Sequence, residues 1–133
     1  MTNRLHFRTL PAPLDSAGQW TNGYIFQYNN AGNFSVWQVS GGSSSPLVGW
    51  TYSPAIMPYD WNTLKVVASG GDMEFYINEV LVASGHNETH AEGRVGTSMW
   101  RGSDVKAPLF VDWARVSSSA VPGAYTDPIA AVP

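Results

Sequence analysis

The sequence predicts an all-β chain, an antiparallel β-sandwich, and three observations carry that reading. No window places apolar residues at i, i+3, i+4 and i+7 over three turns, and Gly or Pro interrupts nearly every stretch, so no helix has a face to bury. Short segments of alternating apolar and polar residues recur instead, separated by turn signals at intervals of about 8–12 residues. The length of 133 residues suits one domain with one core.

Arg4 to Leu10 is the first strand, stopped by Pro11 and Pro13. Gly23 to Tyr28 follows, then a turn through Asn29-Asn30-Ala31-Gly32 and a strand from Asn33 to Ser40. Gly41-Gly42-Ser43-Ser44-Ser45 reads as a flexible break before a shorter strand near Leu47 to Tyr52 and a proline-bounded loop, Pro54 to Tyr59. Leu64 to Ala68 and Met73 to Ile77 are partner strands around Ser69-Gly70-Gly71-Asp72, and Asn78-Glu79 is a two-residue turn into Val80 to Ala83. Leu64, Val66 and Ala68 share one face, as do Met73, Phe75 and Ile77, while Lys65, Glu74 and Tyr76 point the other way. A polar loop, Gly85 to Gly93, leads to strands at Arg94 to Arg101 and Leu109 to Val116. Residues 1–117 are thus expected to form one sandwich. The stretch 118–133, with small residues, three prolines and no periodicity, reads as a tail or linker, the stump of a longer polypeptide.

Composition excludes several classes. A charged fraction of 13% lies well below the usual ~25%, which argues against disorder. The net charge of −3, with basic residues scattered singly, gives no footprint for a nucleic acid. No apolar run approaches the ~20 residues of a membrane span. With no cysteine, disulfides and thiolate chemistry are out. The first residues, MTNRLHFRTLPAP, hold no apolar stretch of signal-peptide length, so the compartment stays open, extracellular if the chain is a piece of an exported protein.

Trp61 to Val82, WNTLKVVASGGDMEFYINEVLV, resembles the central hairpins of the concanavalin A-like lectin/glucanase superfamily, in its laminin-G-like jelly-roll branch, whose bacterial relatives include the 3-keto-disaccharide hydrolase type. Trp61-Asn62, Gly70-Gly71 and Tyr76-Ile77-Asn78-Glu79 stand where that family has a Trp-Asn pair, a Gly-rich turn and a Y-x-N-G tetrad. Asn22 to Phe26 is similar to its Gly-aromatic strand, Glu92 to Gly96 to its x-G-x-V-G, and Asp112 to Val116 to its closing strand. The resemblance implies a jelly roll from about residue 20 to 117. It also implies that N-terminal strands of the family are missing, so a second copy, a neighbouring domain or Arg4 to Leu10 should cover the open sheet edge. Glu79 stands in place of the usual glycine, which demands a non-Gly residue at positive φ or another turn type.

The six tryptophans are the feature that points furthest toward function. The resemblance puts Trp61 in the core, Trp113 is read as structural, and Trp37 falls on the face that lines the family's concave groove. The expected ligand set is Trp37, Tyr76 and Gln27 on that face, with Trp50 and Arg101 at its rim: rings stack on the apolar side of a sugar, and Gln27, Asn62 or Arg101 hydrogen-bond its hydroxyls. Glucan-cutting relatives carry acidic residues alternating on one strand. Glu74 and Glu79 do not, and the groove face offers only Lys65 and Glu74 as titratable groups. His86-Asn87-Glu88-Thr89-His90 lacks the spacing of a zinc motif and reads as a solvated loop. Asp60, Asp72 and Asp104 lie in loops but form no dense calcium cluster, so neither metal nor cofactor is implied. The leading expectation is a non-catalytic, lectin-like module that binds glycan on the concave face. A glycosidase-like enzyme on the same scaffold and a structural or self-assembling domain are the alternatives.

Overall fold

The computed structural model describes residues 1–10, 13–102 and 107–133. Among these there is no helix, hence none long and apolar enough to cross a membrane. The strands are β1 (Thr2–Thr9), β2 (Gly23–Asn29), β3 (Asn33–Ser40), β4 (Ser43–Tyr52), β5 (Leu64–Ser69), β6 (Asp72–Ile77), β7 (Val80–His86), β8 (Arg94–Trp100) and β9 (Ala130–Ala131). They form two antiparallel sheets, one of five strands in the order β4-β3-β2-β1-β8 and one of four in the order β5-β6-β7-β9. The chain is an all-β antiparallel sandwich. Of the three coverings considered for the edge of β2, the chain itself supplies one: β1 lies between β2 and β8, with Phe7 opposite Tyr24 and Arg4 opposite both Gln27 and Ser98.

The core follows from strand alternation. Tyr24, Phe26 and Tyr28 of β2 and Phe34 and Val36 of β3 turn inward and are buried, meeting Met73, Phe75 and Ile77 of β6. Phe75 packs 5.3 Å from Phe26 and 5.9 Å from Phe7, while Phe26 meets Phe34 edge-on at 6.3 Å. The register expected for the central hairpin is observed: Leu64 faces Ile77, Val66 faces Phe75 and Ala68 faces Met73. The tight turn after it is left-handed at both central residues, with φ of 49° at Asn78 and 65° at Glu79, the type I′ geometry. Asn78 also anchors the loop before β5. Its amide donates to the Ala55 carbonyl and to Asn62 Oδ1, and its Oδ1 accepts from Thr63 N–H.

Several segments depart from the sequence reading. The Ser-rich run after Ser40 is no flexible break: Gly41 and Gly42, with φ of 57° and 83°, close a tight hairpin, and Ser43 to Ser45 pair with Gln38 to Ser40. Backbone pairing needs no apolar side chain, so composition hid it. Trp61 is 60% exposed and Trp113 62%, so neither is a core residue. Asn62 and Asn78, through hydrogen bonds, do the work expected of Trp61. The strand expected at Leu109 to Val116 pairs with none of the described residues, and residues 111–120 are exposed. The edge of β7 is taken instead by the last residues: Ala83 and Ser84 pair with Ala131 and Ala130, and Ile129 is buried. Gly85 makes this docking possible, because a Cβ there would stand 2.4 Å from Ile129 Cα. The end of the segment read as a loose tail is therefore packed on the second sheet. Pro11 and Asp104 lie outside the described residues.

Two substitutions test this fold. Phe75→Ala opens a cavity in a fully buried site and should lower the unfolding free energy by about 3–5 kcal/mol in urea titration. Glu79→Gly relieves a left-handed L-residue at the cost of an exposed Lys65 ion pair, and should raise it by about 0.5–1 kcal/mol. A loss of stability in Glu79→Gly would count against the turn geometry.

Candidate functional site

With the apolar residues of β1, β2 and β3 facing inward, their alternate residues are displayed in lateral register on the outer face of the five-stranded sheet. Arg4 lies opposite Gln27, and Gln27 opposite Ser35. A hydrogen-bond relay joins them: Arg4 Nε–H donates to Gln27 Oε1 at 2.8 Å, Gln27 Nε2 donates to Ser35 Oγ at 2.9 Å, and the Trp37 indole N–H donates to the same Ser35 Oγ at 2.9 Å. Gln27 and Ser35 are buried, so the relay is a fixed floor rather than a solvated set of rotors.

Above it runs a groove of about 350 Å³ lined by Thr2, Arg4, Ile25, Gln27, Trp37 and Ser44, with Trp50, Trp100 and Gln19 completing it. Trp50 and Trp100, 47% and 50% exposed, offer open ring surface. Beside His6 the Trp20 ring lies over Gly96, where a Cβ would stand 2.3 Å from the indole. Trp20 also meets His6 edge-on at 4.5 Å. His6 is buried, with Nε2 2.6 Å from Ser98 Oγ, and burial together with the charge of Arg4 pushes its imidazole down to about 4. A second hollow of about 410 Å³, lined by Met1, Asn29, Asn30, Ala31 and Tyr59, has one ring and no such relay beneath it.

Three of the residues singled out from sequence, Gln27, Trp37 and Trp50, come together in this groove. Tyr76 does not join them, because β6 belongs to the other sheet. There its hydroxyl donates to Glu74 Oε1 and its ring lies under Lys65 Nζ at 4.4 Å. Arg101 follows β8 and donates to the Ala107 carbonyl at 3.2 Å, outside the lining. The Asn62 side chain is occupied by Met57, Asp60 and Asn78. Arg4, Ser35 and Trp100 join them from outside the expected ligand set. The one available signal was the alternation of Thr2, Arg4 and His6 against Leu5 and Phe7 on β1.

The outer face of the second sheet is covered. Tyr125 of the C-terminal segment donates its hydroxyl to Glu74 Oε2 at 2.5 Å and its N–H to Asp72 Oδ1, and Gly123 N–H also reaches Glu74. The Tyr125 hydroxyl, more than the Gly123 N–H and Tyr76, holds the Glu74 carboxyl below its usual range. The His86–His90 loop is a staple rather than a solvated loop. Asn87 bridges the Tyr24 hydroxyl and Gln38, His90 Nε2 meets the Val39 carbonyl at 2.7 Å, and His86 Nδ1 sits 2.9 Å from Asp72. Among the described residues no three His, Asp or Glu side chains converge as a metal site.

The fold places the chain among antiparallel β-sandwiches. A solved structure of that class, the carbohydrate-binding module CBM66 from Bacillus subtilis, is similar at a TM-score of 0.58 and 23% identity, over 74% of this chain and 56% of that one. The chain thus spans little more than half of that module, and the likeness is one of fold. No protein-family model and no curated protein matches the sequence.

The buried His6 makes stability pH-dependent. The unfolded imidazole takes its proton near pH 6.5 and the folded one only near 4, so between those values the unfolded state binds more protons and stability falls as pH is lowered. The loss is at most about 3 kcal/mol. His86, raised chiefly by Asp72, acts above 6.5 and in the opposite sense on lowering pH. Urea titrations at pH 7, 5.5 and 4.5 should show this slope, and His6→Gln should flatten it; an unchanged slope would mean that the fold does not alter the proton affinity of His6.

Proposed function

We propose that the chain is a non-catalytic carbohydrate-binding module of the concanavalin A-like, laminin-G-like type, holding a glycan in the groove on the outer face of the five-stranded sheet. The observation that carries this reading is the hydrogen-bonded floor Arg4–Gln27–Ser35–Trp37 beneath open tryptophan rings. A pyranose has apolar faces and a girdle of hydroxyls. Trp50 and Trp100 supply flat apolar surface, and Arg4, Gln27 and Ser44 supply directional partners. The likeness in fold to a module titled as carbohydrate-binding supports the reading.

Binding is favoured over hydrolysis by the lining itself. Glycoside hydrolysis uses two carboxyl groups about 5–9.5 Å apart across the scissile bond, and none of the described lining residues is acidic. Glu74 lies on the opposite sheet with its oxygens engaged by Tyr76, Tyr125 and Gly123. Trp37, whose ring is pinned by Ser35, is the stacking residue on the floor.

A glycan array followed by calorimetry tests this. Trp37→Ala should weaken binding about ten- to a hundredfold while the far-UV circular dichroism is kept. Failure to bind any glycan, or affinity unmoved by both Trp37→Ala and Trp50→Ala, would sink it.

A further inference from the structure

The groove has an electrostatic feature that neutral sugar does not use. Arg4 is the one charged side chain among its described lining residues, and its partner on the floor is an amide, not a carboxylate. The ion pairs among the described residues, Lys65–Glu79, His86–Asp72 and His86–Glu88, all lie elsewhere. A guanidinium carries five N–H donors. Nε–H goes to Gln27, and no acceptor among the described residues takes the others.

The surroundings sharpen this. Arg4 is half-buried, and burial lowers its proton affinity, the mark of a cation stripped of water without a counter-charge. His6 on the same strand is neutral around pH 7, so Arg4 is the one cation on this stretch of the face. Thr2, two residues away on the same face, is 8% exposed, and its hydroxyl has no hydrogen-bond partner among the described residues. Cation, orphaned hydroxyl and tryptophan rings all line one groove.

From this juxtaposition we propose that the groove selects acidic glycans, the oxyanion of a uronate or sulfated sugar sitting on the free side of the Arg4 guanidinium while the ring stacks on tryptophan. The inference rests on the reading of the groove as a glycan site and narrows it. A guanidinium presents paired N–H groups in one plane, the match for the two oxygens of a carboxylate or sulfate, and such charge-assisted bonds are about twice as strong as neutral ones.

The test uses the full chain and an array of neutral, uronate-bearing and sulfated oligosaccharides, followed by calorimetry on the best ligand and on its carboxyl-reduced or desulfated counterpart. The charged form should bind at least tenfold more tightly than its neutral counterpart and weaken between 50 and 300 mM salt, roughly. Arg4→Gln should remove that preference and Arg4→Lys retain part of it, both with native circular dichroism. Uronate and sulfated probes separate the two sources of the anion. The neutral counterpart serves as a control that does not depend on how any variant folds. Neutral glycans bound as tightly as acidic ones, with Arg4→Gln unchanged and Trp37→Ala impaired, would overturn the acidic preference and leave the glycan site standing. No binding to any acidic oligosaccharide also overturns it. Acidic binding that survives both Arg4→Gln and Trp37→Ala would place the site elsewhere and overturn both readings.

Discussion

Phe26 is the residue on which the arrangement turns. Its ring is fully buried, 5.3 Å from Phe75 of the opposite sheet and 6.3 Å from Phe34 of the neighbouring strand. Because side chains alternate with a period of two, committing Tyr24, Phe26 and Tyr28 inward leaves Ile25 and Gln27 only the outer face. The same holds for Phe34 and Val36 against Ser35 and Trp37, and for Leu5 and Phe7 against Arg4 and His6. Slipping β2 by one residue would expose three aromatic rings, at roughly 1.5–3 kcal/mol each, and would bury a Gln amide against the second sheet. The lateral alignment of Arg4, Gln27 and Ser35 is therefore dictated from behind, by the apolar packing.

Hydrophobic contact alone does not orient one sheet on another, since it is non-directional. Polar staples do so here. Tyr24 reaches from β2 to Asn87, the His90 ring meets the Val39 carbonyl, and the Arg8 guanidinium spans Gly70 and His90 carbonyls. The C-terminal segment then crosses the second sheet, held by Ile129 against Gly85 and by Tyr125 on Glu74 and Asp72. The two outer faces end up unequal. On the second sheet the carboxylates are tied to tyrosines and backbone, while on the first the floor polar groups look into an open groove.

What the sequence showed of this follows from which signals are local. The Leu64–Ala83 hairpins were legible because alternation and a two-residue turn are short-range, and of the two outcomes open to Glu79 in a glycine's place the positive φ is the one realised. The pairing of β1 with β8 and of β7 with β9 joins segments far apart in the chain, and nothing in either segment names its partner. Leu109 to Val116 has the composition of a strand but no paired neighbour among the described residues, and Ser43 to Ser45 the composition of a loop but a place in the β4 ladder. Tyr76 shows the same limit at the site. Alternation gave its outward orientation, as it did for Trp37, but sheet membership is a property of topology, so the two lie on opposite sides of the molecule.

The overall excess of acid, 10 acidic against 7 Lys or Arg, is a poor guide to what a ligand in the groove would feel. Glu79 is paired with Lys65, Asp72 and Glu88 share His86, and Glu74 is saturated by hydroxyls and an amide. These groups also sit on or beside the second sheet, on the far side of the core from the groove. Among the described residues Arg4 has no such partner, and it lines the groove itself. Local compensation, rather than net charge, sets the sign of the potential at a site, and among the described residues of this groove the group without a counter-charge is a cation framed by indole rings.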